Sequence, residues 1–321
     1  MFLFDQNTPL NEINRYLSDK NFFLERKEII NQIEIAGEGN MNVVLRLRTQ
    51  KRSFILKQSR PYVQKYPSLA APIERIAVEH QFYTQMLNNP FFPKVLYYST
   101  DDHLMLLEDL GQCESLISLY KEASISESLF KTLLIALDKI HSCNISKDYP
   151  KNRGLRNLNH QHLFILPFKK DNNFSLDTIQ KGLDELATPY KKNKGLKKQI
   201  ERLGEHYLKQ GNTMLHGDYY PGSWMMNRNQ LYIIDPEFSF VGFKEFDLGV
   251  MAGHLLLATA NTNYLERICK EYPTSINEDW VYSICGIEIL RRLIGLAQLP
   301  LNRSLEEKQR LLSMAQNFVL G

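Results

Sequence analysis

The sequence predicts an α+β protein with two lobes, a small antiparallel-sheet lobe followed by a larger and mainly helical lobe. Two observations favour this fold class. Ile33 and Ile35 alternate with polar residues, and further apolar segments of strand length follow up to residue 58 and again over 93–98 and 104–108. From residue 115 onward the apolar positions change to helical spacing. We therefore expect an N-terminal lobe over residues 1–109 and a C-terminal lobe over residues 110–321.

The composition is that of an ordinary globular protein and excludes several classes of function. The chain has 321 residues, of which 43% are hydrophobic and 23% charged, and its net charge of +3 is too small to indicate a nucleic-acid partner. The longest apolar region, residues 249–260, is too short to span a membrane and is interrupted by His254. The four cysteines have no paired spacing, and residues 1–5 lack the features of a signal peptide. We expect a cytoplasmic protein with neither a membrane nor a nucleic-acid partner.

The N-terminal lobe is expected to contain five strands and two helices. The first helix covers residues 8–31 and starts at Thr8-Pro9. The remaining elements are three strands within Ile33 to Gln58, a helix over Pro72 to Asn88, and strands over 93–98 and 104–108. Together the strands complete a five-stranded sheet.

A glycine turn and a lysine in this lobe indicate a phosphate-binding function. The turn residues with this predicted role are Gly37, Gly39, Asn40 and Asn42. Glycine lets the backbone approach an anion closely, because no Cβ intrudes. Lys57 follows on the third strand, where kinases place the lysine that contacts the α- and β-phosphates of ATP. Glu79, in the middle of the next helix, is the predicted ion-pair partner of Lys57, and Glu74 is the alternative.

The connector between the lobes is Glu108-Asp109-Leu110-Gly111. An extended connector can hydrogen-bond an adenine ring through its backbone, so main-chain atoms of Glu108 and Leu110 are candidates for this contact. Beyond it, residues 115–143 are expected to be helical, and residues 144–175 carry no clear pattern. An amphipathic region over residues 176–209 is expected to break near Pro189 and Gly195.

Two acidic clusters in the C-terminal lobe predict phosphoryl-transfer chemistry. His216-Gly217-Asp218 follows one apolar strand, and Asp235-Pro236-Glu237 follows the next. Kinases use one aspartate for the acceptor hydroxyl, a metal ligand five residues later, and a second aspartate on Mg²⁺. Asp218, Ser223 and Asp235 occupy these positions. Glu237 lies two residues after Asp235 on an extended chain, so both carboxylates can converge on Mg²⁺.

Two further residues in the C-terminal lobe have predicted structural roles. Asp247, in Phe246-Asp247-Leu248-Gly249, is expected to brace the catalytic loop rather than to touch the substrate. His141 ends an apolar stripe, so it is expected to be a packing or capping residue. Tyr219, Tyr220 and Trp224 are expected to place bulk beside the catalytic loop.

Several motifs together resemble the methylthioribose kinases, which lie within the aminoglycoside and choline kinase group. The motifs are Gly-Glu-Gly-Asn-Met-Asn (37–42), Leu-Lys-Gln-Ser-Arg-Pro-Tyr-Val (56–63), Glu-Asp-Leu (108–110), His-Gly-Asp-x-x-x-Gly-Ser (216–223), Ile-Asp-Pro-Glu-Phe-Ser-Phe (234–240), Phe-Asp-Leu-Gly (246–249) and Arg-Arg-Leu-Ile-Gly-Leu-Ala (291–297). The resemblance implies a protein-kinase-like, aminoglycoside phosphotransferase fold. It also implies transfer of the ATP γ-phosphate, with Mg²⁺, to the 1-hydroxyl of 5-methylthioribose in methionine salvage. The family's twin arginines correspond to Arg291 and Arg292, which are thereby expected to help form the sugar pocket.

Other readings of the sequence stay open at this point. An aminoglycoside- or choline-type phosphotransferase would act on another small sugar or alcohol, and a pseudokinase would bind nucleotide without turnover. A protein kinase is disfavoured, because no activation segment such as Ala-Pro-Glu follows Asp235. Adjacent helical residues point about 100° apart, so one of Arg291 and Arg292 could be solvated or ion-paired. The resemblance is compatible with a homodimer.

Overall fold

A computed structural model describes residues 2–23, 28–37, 41–172 and 174–321. The chain divides into two compact units. The first comprises Met1–Cys113 together with Tyr232–Glu237, and the second comprises Glu114–Leu231 and Phe238–Gly321. Residues 232–237, which carry Asp235 and Glu237, therefore belong to the same unit as Lys57, although they lie far from it in the sequence.

The first unit contains an antiparallel sheet and two helices within its described residues. The helices are α1 (Leu10–Asp19) and α2 (Arg75–Gln85). The strands are β1 (Gln32–Ile35), β2 (Val43–Arg48), β3 (Ser53–Gln58), β4 (Tyr62–Val63), β5 (Tyr66–Ala70), β6 (Val95–Ser99) and β7 (Leu104–Glu108). Five of these strands form one sheet in the order β1-β2-β3-β7-β6, which confirms the five-stranded sheet that the sequence predicts.

The alternation of apolar and polar residues sets the inner face of this sheet. Along β2, Val43, Leu45 and Leu47 are buried and the residues between them are partly exposed. Because successive side chains point to opposite faces, the three apolar residues share one face of the strand. They belong to a core cluster that also includes Phe54 and Leu56 of β3. The remaining members of this cluster are Phe4, Ile13, Tyr16, Leu17, Ile30, Leu104 and Leu106.

Two expectations for this unit need correction. The helix predicted over residues 8–31 ends at Asp19, because Asn21 adopts a left-handed backbone with φ of 55°. Residues 28–30 are not helical. The sequence analysis also missed a small hairpin, in which β4 pairs with β5 and every residue of β5 is exposed.

The second unit is mainly helical. Its helices are α3 (Leu119–Glu122), α4 (Glu127–His141), α5 (Arg153–His160), α6 (Leu183–Lys192), α7 (Lys194–Tyr207), α8 (Glu245–Thr259), α9 (Asn263–Glu271), α10 (Glu278–Ile294) and α11 (Leu305–Leu320). Its strands are β8 (Glu114–Ser115), β9 (Thr213–Leu215), β10 (Trp224–Asn227) and β12 (Phe240–Gly242), and β11 (Gln230–Ile233) runs from this unit into the first. β9 pairs with β12, and β10 pairs with β8. Among the residues that the structure describes, none of the helices combines the length and the apolar character needed to cross a lipid bilayer.

Capping residues explain where the predicted helices break. The helix expected over 115–143 is interrupted, because Ala123 adopts a left-handed backbone and Ser126 then caps α4 by accepting a hydrogen bond from the Leu129 N–H. The break expected near Gly195 is confirmed at Asn193, whose side chain caps α7, but the break expected near Pro189 is wrong. Pro189 lies inside α6. The unassigned segment 144–175 contains α5 and a π-helical turn over Gln161–Ile165.

Helices α8 and α10 pack closely against each other. Almost every residue of α8 is buried, so this helix has no polar face. Gly253 of α8 lies directly against Glu288 of α10, since a Cβ atom added at Gly253 would be 2.9 Å from the Cβ of Glu288. The close approach therefore requires glycine at position 253.

Candidate functional site

A lysine cluster, defined as Lys57, Glu79, Asp235 and Glu237, lies in the first unit. The Nζ of Lys57 is 2.8 Å from Oε1 of Glu79 and 2.5 Å from Oδ1 of Asp235. Lys57 and Glu79 are buried, whereas the Asp235 side chain is 48% exposed. The predicted Lys57–Glu79 ion pair is confirmed, and Glu74 is not needed for it.

The backbone at Asp235 is unusual. Asp235 adopts a left-handed conformation with φ of 61°, and its N–H donates to the Tyr83 hydroxyl. Such conformations cost free energy in residues other than glycine and cluster at functional sites. The strained turn places the Asp235 carboxylate beside Lys57.

Charge and burial oppose each other in this cluster. Burial alone would lower the pKa of Lys57, but the Asp235, Glu79 and Glu237 carboxylates hold it above its ordinary value. Burial raises the pKa of Glu79 to about 8, against the effect of the Lys57 charge. Burial also raises the pKa of Glu237. Burial therefore opposes full ionisation of the three carboxyl groups around the Lys57 ammonium.

Arg75 connects this cluster to the end of the glycine turn. Its guanidinium is fully buried and donates to the side chain of Asn42 at 2.9 Å and to the carbonyl of Met41 at 2.6 Å. Asn42 in turn donates to Oε2 of Glu237 at 2.8 Å, which also lies 3.4 Å from Nε of Arg75. The Asn42 side chain is thus committed to holding Glu237.

Arg75 was not among the residues predicted from the sequence, although its position carried a signal. Arg75 lies four residues before Glu79 on α2, and residues at this spacing share one helix face. Of the other turn residues, Gly37 precedes β2, and Gly39 and Asn40 lie outside the described residues. In the connector, the N–H of Glu108 donates to the Lys94 carbonyl, and the carbonyl of Leu110 accepts from the Cys113 thiol.

The donor chemistry of the lysine cluster fits Mg²⁺. Within the described parts of the chain, no group of three or more His, Cys, Asp or Glu side chains is arranged to hold a metal ion. Mg²⁺ in nucleotide sites is usually held by one or two carboxylates, with phosphate oxygens and water completing its shell. Asp235 and Glu237 would provide such a pair.

In the second unit, Asp247 braces the loop that carries Asp218. The Asp247 carboxylate accepts from the backbone N–H of His216 at 2.7 Å and of Gly217 at 3.0 Å. His141 lies 3.2 Å from the same carboxylate. The bracing role of Asp247 is therefore confirmed, and His141, expected to be a packing or capping residue, has a buried side chain that packs against Asp247.

Gly217 is required by the shape of this loop. Its φ is 84°, and an added Cβ atom would lie 2.2 Å from the carbonyl oxygen of Phe238. Ser223 lies five residues after Asp218 in the sequence. It is buried, and its hydroxyl donates a hydrogen bond to the Asp218 carbonyl at 3.0 Å. The same hydroxyl oxygen retains lone pairs that can accept a hydrogen bond or coordinate a metal ion.

Asp218, Glu288, Arg291 and Arg292 form an arginine cluster, in which the two arginines lie beside the Asp218 carboxylate. Nη2 of Arg291 and Nη2 of Arg292 lie 4.0 and 3.9 Å from Oδ1 of Asp218. Both arginines are buried. The open alternative that one of them is solvated is therefore wrong, because Glu288 holds the two side chains together.

Glu288 lies three residues before Arg291 and four before Arg292, so all three share one side of α10. Its two oxygens accept from Nε of Arg291 at 2.5 Å and from Nε of Arg292 at 2.8 Å. Burial alone would raise the pKa of Glu288, but the two guanidinium groups hold it well below its usual range. Glu288 is thus a buried carboxylate that stays charged.

A histidine contacts Glu288, and a tyrosine contacts that histidine. Nε2 of His254 is 2.8 Å from Oε1 of Glu288, and Nδ1 of His254 is 2.6 Å from the Tyr120 hydroxyl. Burial lowers the pKa of His254 to about 4, so the ring is neutral near pH 7. If the Tyr120 hydroxyl donates to Nδ1, the neutral ring carries its proton on Nε2, the nitrogen that lies close to Glu288.

Sequence reasoning missed these three residues. The signal was a glutamate and a histidine within otherwise apolar helical stretches, where polar residues are buried only with partners. Of the three aromatic residues expected beside the catalytic loop, Tyr219 and Trp224 are fully buried core residues. Tyr220 instead packs against Arg292, whose Cζ is 5.3 Å from the ring centre.

Comparisons with known proteins agree on the class of enzyme. The chain is 27% identical over 263 residues to the methylthioribose kinase of Exiguobacterium sibiricum, covering 77% of this chain and 66% of that protein. It is 25% identical over 341 residues to the methylthioribose kinase of Bacillus velezensis, covering 88% of this chain and 85% of the relative.

Solved structures with the same fold are more distant in sequence. Spectinomycin phosphotransferase in complex with ADP and spectinomycin matches with a TM-score of 0.55 at 12% identity, over 98% of this chain and 99% of the other. Choline kinase LicA from Streptococcus pneumoniae matches with a TM-score of 0.53 at 13% identity, over 96% and 98%. These likenesses confirm the predicted aminoglycoside phosphotransferase fold, with its antiparallel sheet and helical part.

A family model places the chain more directly. The model described as the phosphotransferase enzyme family matches residues 32–280, which is more than half of the sequence. This range includes both acidic clusters and Lys57. The chain belongs to the phosphotransferase enzyme family.

Proposed function

We propose that this protein is a Mg²⁺- and ATP-dependent kinase that phosphorylates the 1-hydroxyl of 5-methylthioribose. The observation that carries the proposal is the arginine cluster, in which two buried guanidinium groups lie within 4.0 Å of the Asp218 carboxylate. A carboxylate can accept the hydrogen bond of an attacking hydroxyl, and guanidinium groups stabilise charge on a transferring phosphoryl group.

The charge of this cluster favours an uncharged acceptor over a cationic one. Arg291 and Arg292 carry two positive charges, which Glu288 and Asp218 balance. Choline and aminoglycosides are cations, and Asp218 offers them little net attraction, because the two guanidinium groups beside it already offset its negative charge. A sugar can use the same groups as hydrogen-bond donors to its hydroxyls. The similarity to methylthioribose kinases supports this choice of acceptor.

In this proposal the lysine cluster binds the nucleotide. Lys57, oriented by Glu79, would contact the α- and β-phosphates, and Asp235, Glu237 and Ser223 would hold Mg²⁺. The backbone of the glycine turn, with Gly37, Gly39, Asn40 and Asn42, would cover the phosphates, and main-chain atoms of Glu108 and Leu110 would bind the adenine. When bound, Mg²⁺ would neutralise charge on the phosphates. The cytoplasmic location and the homodimer stay predictions from the sequence.

The test is ATP consumption by the purified protein with Mg²⁺, comparing methylthioribose with ribose, choline and an aminoglycoside. We expect rapid turnover with methylthioribose only, and phosphorus NMR of the product should show a phosphate at the 1-position. Turnover with a different acceptor would overturn the proposed substrate and leave the kinase chemistry standing. Tight ATP binding with no turnover on any acceptor would support a pseudokinase instead.

A further inference from the structure

Glu288 contacts both arginines through their Nε–H groups. Each guanidinium has an Nε edge and two terminal nitrogens. Glu288 accepts from both Nε atoms, at 2.5 and 2.8 Å. The terminal Nη2 atoms are the ones near Asp218, at 4.0 and 3.9 Å. The carboxylate thus fixes the orientation in which both arginines present their terminal nitrogens.

Without such an anchor, two adjacent helical residues would diverge. Residues 291 and 292 project about 100° apart around the axis of α10. Both side chains nevertheless reach the same oxygen of Asp218. Long, flexible arginine side chains lose considerable rotamer freedom when they are fixed in this way, so something must hold them. Glu288, one turn earlier on the helix, provides a charged acceptor for each.

Glu288 is itself contacted by His254, which Tyr120 contacts in turn. The Nε2 of His254 lies 2.8 Å from Oε1 of Glu288, and the Tyr120 hydroxyl lies 2.6 Å from Nδ1 of His254. Gly253 lets the backbone of α8 approach Glu288 closely enough for this contact. All three supporting residues are buried and come from helices other than α10.

We propose that Glu288 is a positioning residue for the acceptor, which aligns Arg291 and Arg292 with Asp218 and is itself oriented by His254 and Tyr120. This proposal rests on the proposed function. It assigns Glu288 no contact with substrate and no proton transfer. It implies that losing Glu288 impairs recognition of the sugar much more than binding of ATP.

The first test is the variant Glu288→Gln, with Glu278→Gln in the exposed first turn of α10 as the matched control. Glutamine keeps the volume, but it has only one acceptor oxygen for two donors. A 1 Å misplacement can reduce a rate by about 100-fold, so we expect kcat/KM for the sugar to fall by about that factor. The KM for ATP should change less than about twofold, and Glu278→Gln should behave as wild type. Equal losses for the sugar and ATP would overturn the proposal.

A second measurement does not depend on activity. Arginine Nε–H protons that donate to a buried carboxylate exchange slowly with water, and ¹H–¹⁵N spectra detect them. Among the protected Nε–H signals we expect two that disappear in Arg291→Lys and Arg292→Lys, and we expect Glu288→Gln to remove the protection of these two. Fast exchange of both signals in the wild type would overturn the proposal. This result is readable even if the wild type does not phosphorylate methylthioribose, so the two proposals can fail separately.

If Glu288→Gln does not fold, the variant Tyr120→Phe tests the proposal instead. It removes only one hydroxyl group and is therefore expected to fold. We then expect faster exchange at the two arginine Nε–H groups and a KM for the sugar raised about three- to tenfold, with the KM for ATP unchanged. Unchanged exchange together with an unchanged KM for the sugar would overturn the proposal.

Discussion

Replacing Asp247 by asparagine should destabilise the second unit and slow catalysis. Asp247 is fully buried, and its two oxygens accept from the backbone N–H groups of His216 and Gly217 at 2.7 and 3.0 Å. The amide keeps one acceptor oxygen and replaces the other with an NH₂ group, which cannot accept. One buried N–H group therefore loses its partner, and the remaining hydrogen bond loses the assistance of the negative charge.

The expected magnitude follows from these two losses. An unsatisfied buried N–H group costs about 1–3 kcal/mol, and a neutral acceptor in place of a charged one costs about a further 1 kcal/mol. We expect the free energy of unfolding to fall by about 2–4 kcal/mol, which is a roughly 30- to 700-fold change in the unfolding equilibrium constant. Asp218 follows Gly217 directly, so kcat should also fall by about 100-fold.

Urea denaturation followed by tryptophan fluorescence measures the first effect, and steady-state turnover of the acceptor measures the second. Asp279→Asn is the matched control, because Asp279 is exposed in the first turn of α10. Its effect should stay within about 0.5 kcal/mol. A free energy of unfolding for Asp247→Asn that equals the control's, with unchanged kcat, would refute the bracing role.

Three further predictions concern Asp218, Glu79 and Arg75. Asp218→Ala should reduce kcat by several orders of magnitude while ATP affinity, measured by calorimetry, stays nearly intact; unchanged kcat would remove Asp218 from its proposed role. Without metal, the wild type should become less stable as the pH rises from about 4.5 to about 8, with no further loss from this group above that pH. A carboxyl group with a raised pKa keeps its proton in the folded state, so the folded protein binds more protons than the unfolded chain, and Glu79→Gln should weaken this dependence. A pH-independent urea midpoint in the wild type would contradict that assignment. Arg75→Lys should lower the free energy of unfolding by about 3 kcal/mol, because lysine cannot reproduce the fork of hydrogen bonds to Asn42 and Met41. The same variant should raise the KM for ATP. An unaltered KM for ATP would show that Arg75 does not support the nucleotide site.

Sequence reasoning identified the residues whose chemistry is tied to local motifs. The pattern of strands and turns over residues 33–58 predicted most of the sheet, and the position of Lys57 together with Glu79 predicted their ion pair, which the structure confirms. These features depend on periodicity and on short spacing. They are therefore visible in a single chain.

The residues that were missed act through contacts between distant segments. His254 and Glu288 are 34 positions apart and meet only because α8 packs on α10. Arg75 reaches backbone carbonyls on several loops, and no local pattern encodes such acceptors. Helix ends were misplaced for a different reason. At Asn21 and Ala123 a single left-handed residue ends the helix, although the apolar spacing continues beyond it.

The assignment of residues 232–237 to the first unit has a consequence for the order in which the protein folds during synthesis. Residue 113 is made about 120 residues before Glu237, which is roughly 6–25 s of translation at typical rates. During this interval the fully buried Arg75 and the buried Lys57 lack the carboxylates of Glu237 and Asp235. An isolated fragment of residues 1–113 would retain this deficit permanently. The unit that is synthesised first can thus complete its buried ion pairs only after residues 232–237 have been synthesised.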